Sequence, residues 1–343
     1  MDLASARLRI DGWRGKRVGV VGDLMLDRYV WGSATRISQE APIPVVQVKN
    51  ETARPGGAAN VLHNITSLGG KAIAFGVIGD DANAETLLSL LGELDIATEA
   101  VVRHPDRITT EKTRIIAGNQ QVVRVDSERE DPLAPAVVQE MLSRLRDAID
   151  AGAVDGLIIE DYAKGTLNRE SAHAIVALAE RRGVPVALDP HPGNPLDLTG
   201  LTLMTPNRAE AFAMAGRYLT QGTAHLGDDE PLLAVAERLR SAWAVRYLLV
   251  TLGAGGMALF RDGDPPLHVP TQAREVFDVS GAGDTVITSF MLALLAGANA
   301  EEAAVLSNHA AGVVVGKVGT APVYTEELLA SFQAEQQTRE AAR

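Results

Sequence analysis

Residues 278–289, Asp-Val-Ser-Gly-Ala-Gly-Asp-Thr-Val-Ile-Thr-Ser, put two glycines and a carboxylate at the mouth of an apolar segment that continues to residue 295. If that segment is a helix, the N–H groups of Gly281, Ala282 and Gly283 have no partner within it, and the positive end of its dipole points the same way. Such a terminus suits an anion, and glycine lets the backbone close on it. Asp284, in the first turn, is placed to take a proton from an attacking hydroxyl. A phosphate cradle beside a base is the equipment of a phosphoryl transferase. A structural alternative stands beside it, with Ser280 capping the helix, the glycines easing a turn and Asp284 favouring the dipole.

Four further clusters offer chemistry. Gly22-Asp23-Leu24-Met25-Leu26-Asp27 follows the first apolar run, where Asp23 and Asp27 suit sugar hydroxyls, a metal or a helix cap. In Arg54-Pro55-Gly56-Gly57-Ala58-Ala59-Asn60, Gly56 and Gly57 fit either close approach of a ligand or a simple turn into a helix, and Asn60 brings both donor and acceptor to hydroxyls. Asn207 and Glu210 lie one turn apart on the same face, a pair suited to a hydrated Mg²⁺ or its phosphates; capping accounts for Asn207 but not for Glu210. Thr251-Leu252-Gly253-Ala254-Gly255-Gly256 is a glycine turn between two strands, suited to nucleotide phosphates or to a hairpin. No G-x-x-x-x-G-K-[ST] occurs and no G-x-G-x-x-G follows a strand, which leaves P-loop and dinucleotide chemistry without support. The seven histidines show no metal spacing.

The elements that must position these residues alternate. Nearly continuous apolar runs at 17–21, 72–78, 156–159, 185–188, 201–204 and 247–251 read as strands covered on both faces. Helical patterns at 58–68, 84–94, 135–151, 169–182, 208–215 and 231–242 separate them. This predicts an α/β fold, a mostly parallel central sheet flanked by helices, with ligands beyond the carboxyl ends of the strands. Gly22-Asp23, Asp161, Asp189, Asn207 and Gly253 all fall there. Residues 43–49, 112–116 and 121–125 instead alternate polar with apolar; the last two are joined by a Gly118-Asn119 turn. They predict a small separate sheet, a lid with one apolar face that a homodimer would hide. Residues 333–343 read as a polar, frayed helix end.

With 343 residues the chain can bury a large core. Its formal charge of −12 argues against nucleic acid and anionic membranes as general partners, so a phosphorylated ligand needs a local basic pocket. The absence of cysteine excludes disulfides and thiolate catalysis and fits the cytoplasm. No secretory leader and no membrane span are expected.

Taken in order over residues 17–323, Gly56-Gly57-x-x-Asn60, Asn207-x-x-Glu210 and Asp278-x-x-Gly281-Ala282-Gly283-Asp284, with an inserted β lid, resemble the ribokinase/PfkB family of sugar kinases. Within it, residues 22–29, 40–45, Asn119-Gln120-Gln121, Asp161-Tyr162-Ala163-Lys164-Gly165 and 310–320 are most similar to the branch acting on D-glycero-β-D-manno-heptose 7-phosphate. The resemblance implies a single ribokinase-like domain over 1–343 with a lid from about 36–53 and 110–127. It implies Mg-ATP near Thr251, Gly253, Gly255, Gly256, Ser280 and Asn308, with Asn207 and Glu210 organising Mg²⁺ and phosphates. Asp284 would deprotonate the sugar's 1-OH while the amides of Gly281, Ala282 and Gly283 hold the moving phosphoryl group. Asp27 and Asn60 match sugar ligands, followed by Asp23, Gly56, Gly57 and Asp161; Lys164 and Arg124 are nominated for the 7-phosphate. A monovalent cation such as K⁺ belongs near Asp278. The product would be heptose 1,7-bisphosphate, an ADP-heptose precursor for lipopolysaccharide. Asp189-Pro190-His191 departs from the family's Asp-Pro-Lys and removes a phosphate contact that lysine would make. Many relatives carry a second, nucleotidyltransferase domain that this chain is too short to hold, which implies a stand-alone kinase. Alternatives are a family kinase for fructose 1-phosphate, tagatose 6-phosphate or 2-keto-3-deoxygluconate, or a sugar-phosphate sensor without turnover.

Overall fold

Seven parallel strands form the spine of the molecule, and their order explains why the chemistry-bearing residues meet. The computed structural model describes residues 1–272 and 276–341. In chain order, α1 (Leu3–Asp11) and β1 (Arg17–Gly22) precede the long strands β2 (Leu24–Ile37) and β3 (Pro44–Gly57), followed by α2 (Ala58–Ser67), β4 (Lys71–Ile78), α3 (Ala82–Glu93) and β5 (Val101–Arg103). The hairpin β6 (Thr110–Ala117) and β7 (Gln120–Ser127) leads to α4 (Pro135–Asp150), β8 (Gly156–Glu160), α5 (Arg169–Glu180), β9 (Val186–Asp189), β10 (Leu203–Met204) and α6 (Arg208–Met214). The remainder is α7 (Glu230–Trp243), β11 (Tyr247–Thr251), β12 (Met257–Arg261), β13 (Leu267–Val269), α8 (Ala282–Leu295), α9 (Ala300–Val314) and α10 (Thr325–Ala341). The expected tail helix is thus present to Ala341, and residues 342–343 of that expectation lie outside the described residues.

The large sheet has the order β13-β12-β11-β10-β9-β8-β1-β4-β5, antiparallel only at the β11-β12-β13 edge. Successive side chains of its strands enter opposite hydrophobic clusters. Ile158 packs in the cluster with Leu62, Phe290 and Leu306, whereas Leu157 and Ile159 pack with Leu145, Ile175 and Leu239. Burial on both faces is why these strands read as unbroken apolar runs rather than alternating ones.

The small sheet, β3-β2-β6-β7, is wider than the sequence suggests. Residues 24–37, which are not among the predicted strands, form a 14-residue strand in its interior. Leu24, Met25 and Leu26 are buried at its root, while Arg36 and Ile37 at its tip are exposed, so no single period marks it. The Ala117-Gly118-Asn119-Gln120 hairpin is as expected, with Gly118 at φ +62°. Register fixes which way each side chain looks. Asp27 lies opposite Lys112, which lies opposite Asp126, and Tyr29 lies opposite Arg114, which lies opposite Arg124. These residues share one face, and Val123 and Val125 take the other.

Helix α8 is fixed by its buried face. Phe290 is fully buried and its ring lies 6.1 Å from that of Tyr247 on β11. Phe290→Ala should lower unfolding free energy by about 3–5 kcal/mol in urea titrations. A loss below about 1 kcal/mol would show that α8 is not anchored through this ring.

Candidate functional site

The carboxyl ends of β8 and β9 meet the start of α8, through Tyr162 at Asp284 and Asp189 at Gly283. That start is Gly281, the N-cap, with φ +79° and no side-chain cap, so Ser280 does not cap the helix. A Cβ on Gly281 would fall 2.8 Å from Asn60 Nδ2, which makes glycine necessary on two counts. The main-chain amides of Gly281 and Gly283 have no hydrogen-bond acceptor among the described residues. The Ala282 amide differs from expectation, because it donates to the Val279 carbonyl (3.2 Å) and is turned into the loop. Of the three amides expected to form an anion cradle, only those of Gly281 and Gly283 remain available for it.

Asp284 is 5% exposed. Its Oδ2 accepts from Asn60 Nδ2 at 2.5 Å and its Oδ1 from the Tyr162 hydroxyl at 3.1 Å. Burial raises its pKa above the ordinary range, and the two donors oppose that rise by stabilising the carboxylate. Asn60 is thus a support for Asp284 through its donor end; its Oδ1 is buried without a partner and is the part left for a ligand. Tyr162, not singled out from sequence beyond its place in a motif, completes the clamp.

Next to this carboxylate lie two more acids. One oxygen each from Glu160, Asp189 and Asp284 fall within 4.8 Å of one another. Glu160 is 1% exposed and neither of its oxygens has a hydrogen-bond partner. Burial, followed by the charge of Asp189, pushes Glu160 well above its usual pKa, and burial followed by Glu210 does the same to Asp189. Three carboxylates so close in a dry pocket require a shared proton or a cation. Asp189 Oδ1 also accepts from Thr205 Oγ1 at 3.1 Å, and a Cβ on Gly283 would lie 3.5 Å from Asp189 Oδ2, so this acid borders the cradle directly.

Several nominated residues turn out to be spoken for. Asp23 accepts from the amides of Tyr162, Lys164 and Thr166, anchoring the 161–166 loop rather than facing a ligand. Asp161 accepts from Ala163 N and Asn194 Nδ2 through Oδ1, while its buried Oδ2 has no partner. Asn207 and Glu210 form a reciprocal cap on α6, each side chain bonding the other's amide, so Glu210 has the structural reason that sequence denied it. Gly56 clears the Asp27 carboxylate (2.8 Å to a Cβ), and Gly57, at φ +55°, clears the Asp23 carbonyl (2.7 Å). Gly256 closes on the Val269 carbonyl, where a Cβ would lie at 2.1 Å, while Gly255 lies in the turn and donates to Leu252 O. Gly253 alone of these has open space around it, beside Thr251, whose amide bonds Pro206 O. Asn308 donates to Pro270 O and steadies the segment after β13.

On the sugar side, Asp27 is buried against Arg114 (2.6 Å), with Thr320 Oγ1 at 3.3 Å. Arg114 was invisible in sequence, since only strand register brings it to Asp27. Lys164 is neutralised by Glu128 and Glu130, and Arg124 by Asp126, so neither nominated cation is free. Asp278 accepts from Ser280 N at 2.9 Å and Gly319 N at 3.0 Å; burial would raise its pKa, but these bonds outweigh it and hold the carboxylate below its usual value. It ties the cradle loop to residues 319–320, the second of which touches Asp27.

A model of the pfkB family of carbohydrate kinases matches residues 16–327. "Bifunctional protein HldE" from Pelobacter propionicus is 42% identical over 331 residues, 96% of this chain and 66% of its own length. The protein of the same name from Geobacter sulfurreducens is 41% identical over 91% of this chain and 62% of its own. The chain thus spans about two thirds of these curated relatives. Among solved structures, ribokinase from Arabidopsis thaliana, complexed with ribose and ATP, aligns with a TM-score of 0.71 at 19% identity, covering 93% of this chain and 99% of that one. Phosphofructokinase-2 from Escherichia coli, in complex with substrates and products, aligns at 0.75 and 19%, with the same coverage. These two establish a shared ribokinase-like fold.

The Asp161 carboxyl, pushed up to about 6 chiefly by burial, gives a pH test. A raised folded-state value means its contribution is full below about pH 4 and lost as pH climbs through 6. Asp161→Asn should therefore gain stability relative to the parent by up to about 3 kcal/mol between pH 4 and 7.5, read from urea titrations. A difference that does not change with pH would contradict the assignment.

Proposed function

The chain belongs to the pfkB family of carbohydrate kinases, and from that premise we propose that it transfers the γ-phosphoryl group of ATP to the anomeric 1-hydroxyl of D-glycero-β-D-manno-heptose 7-phosphate, forming the 1,7-bisphosphate. The observation that carries this is the buried Asp284 carboxylate, clamped by Asn60 and Tyr162 at a helix N-terminus whose Gly281 and Gly283 amides are unspent. Asp284 accepts the hydroxyl proton as the sugar oxygen attacks. The two amides meet the charge on the transferring group, where fixed dipoles in a dry site act most strongly. The heptose assignment is supported by the sugar-side motifs and by relatives named HldE at about 40% identity.

Mg²⁺ accompanying ATP would neutralise phosphate charge as it builds. The residues present fit it: Glu160 has two buried oxygens without partners and stands beside Asp189, whose neighbour is Glu210. Asn207, by contrast, is committed to its cap. For a monovalent cation near Asp278, the carboxylate is ionised and already organises two amides, leaving one lone pair per oxygen. The nucleotide reading keeps Gly253, which has open space around it, and Thr251 at the end of β11 beside it. A cytoplasmic setting accords with the cysteine-free composition, and among the described residues no helix is long and apolar enough to cross a membrane.

The homodimer is proposed through the lid's outer face, where Val123 and Val125 are 46% and 54% exposed on the side away from Asp27. Phosphofructokinase-2 from Escherichia coli has a tetrameric inhibited form, which shows assembly on the same fold. Sedimentation should give a dimer for the parent and a monomer for Val125→Asp. A monomeric parent, or a dimeric variant, would contradict the lid interface.

An ATP-turnover screen across sugar phosphates should respond to the heptose 7-phosphate. Turnover on fructose 1-phosphate, tagatose 6-phosphate or 2-keto-3-deoxygluconate instead would move the substrate, and silence on all of them would indicate a sensor. Asp284→Asn should lower kcat by about 10²–10⁴-fold with ATP affinity nearly unchanged. Equal loss of binding and turnover would make Asp284 a structural residue.

A further inference from the structure

The cations around the sugar side are not equivalent. Arg114 is held by Asp27, Arg124 by Asp126, Lys164 by Glu128 and Glu130, and Arg28 by Glu51 and Glu111. Arg54 gives a donor to the Val318 carbonyl and lies over the Tyr29 ring. Lys112 is different. Its ammonium makes no hydrogen bond or ion pair among the described residues, although the residue is half-buried. Removal from water lowers its pKa, opposed by the attraction of Glu128 and aggravated by Lys164 and Arg124, with Asp126 also attractive. An ammonium set in such a place without a protein partner is unfavourable unless a ligand supplies one.

Register says which way it looks. Lys112 pairs with Asp27 across β2-β6, so both side chains leave the lid on its site-facing side. Asp27 in turn lies near Asp284 electrostatically. The charges that act most on Lys112 are those of Glu128, Lys164, Arg124 and Asp126, with Lys164 in the 161–166 loop, whereas Asp278 of the cradle loop acts on Arg114. A dianion arriving there meets one unspent positive charge and two cations whose carboxylate partners it can displace.

From this we infer that Lys112 is the receptor for the substrate's second phosphate, the phosphomonoester that does not react, and that it sets the preference for a phosphorylated over a neutral sugar. The inference rests on the kinase reading and deepens it by assigning the distal-phosphate subsite, in place of Lys164 and Arg124. A compact, rotatable ammonium suits a phosphate as a point charge.

The experiment uses the full chain and compares kcat/KM for heptose 7-phosphate with that for the same heptose lacking the phosphate, in the parent, Lys112→Met and Lys112→Arg, with melting temperature as a folding control. Lys112→Met should cut the phosphorylated-to-neutral preference at least tenfold by raising KM for the sugar phosphate, and Lys112→Arg should restore most of it. A preference within twofold of the parent's in Lys112→Met overturns the inference while leaving the kinase reading intact. Equal losses on both sugars also overturn it, since they mark a structural lysine. A parent that phosphorylates neutral heptose and ignores its 7-phosphate overturns this inference and the proposed substrate together.

Discussion

Everything in the site depends on keeping one carboxylate ionised and aimed in a place where water is scarce. Burial pushes Asp284 toward its neutral form, and a neutral acid cannot take a proton. Two donors work against that, the Asn60 amide from α2 and the Tyr162 hydroxyl from beyond β8. The positive end of α8 works the same way. Three chain segments are therefore pinned to one another by a single side chain, and the packing of α8 on the sheet sets where they meet.

Close by, Glu160 and Asp189 pose the complementary problem. Their pKa values rise because burial and then the charge of neighbouring carboxylates, Asp189 on Glu160 and Glu210 on Asp189, disfavour ionisation, so the pocket holds protons or invites a cation. Asp284, clamped by donors, and Glu160, with none, are chemically identical groups driven apart by their surroundings. Under the proposed mechanism, that asymmetry separates the base from a counter-ion site within a few ångströms. The lid adds the sugar-side chemistry by strand register, which puts Asp27, Lys112 and Arg114 on one face and the apolar Val123 and Val125 on the other.

Much of the frame was legible because physics repeats along the strands. Strands buried on both faces show as apolar runs, and the 247–251 expectation matches β11 residue for residue. Strand β2 was not legible, since its root is core, its middle is half-buried and its tip is solvent-exposed. In the site, Asp284 and its glycines could be found because helix termini have a local signature. Asn60 was singled out, but its hold on Asp284 was not visible, as the two lie 224 residues apart. Asn207 and Glu210 were read as ligands because a capping box and a metal pair share one spacing. Arg114, Tyr162 and Glu160 carry no signal of their own; only the meeting of β6 with β2, and of β8 with α8, gives them roles.

The most direct measurement is a crystal structure of the chain with ADP, an aluminium fluoride mimic of the transferring phosphoryl group, and heptose 7-phosphate. The account predicts an Asp284 carboxylate oxygen about 2.6–3.2 Å from the sugar's 1-oxygen, with the Gly281 and Gly283 amides directed at the fluorides. A 1-oxygen out of reach of Asp284, or a fluoride centre held by groups other than those amides, would contradict it.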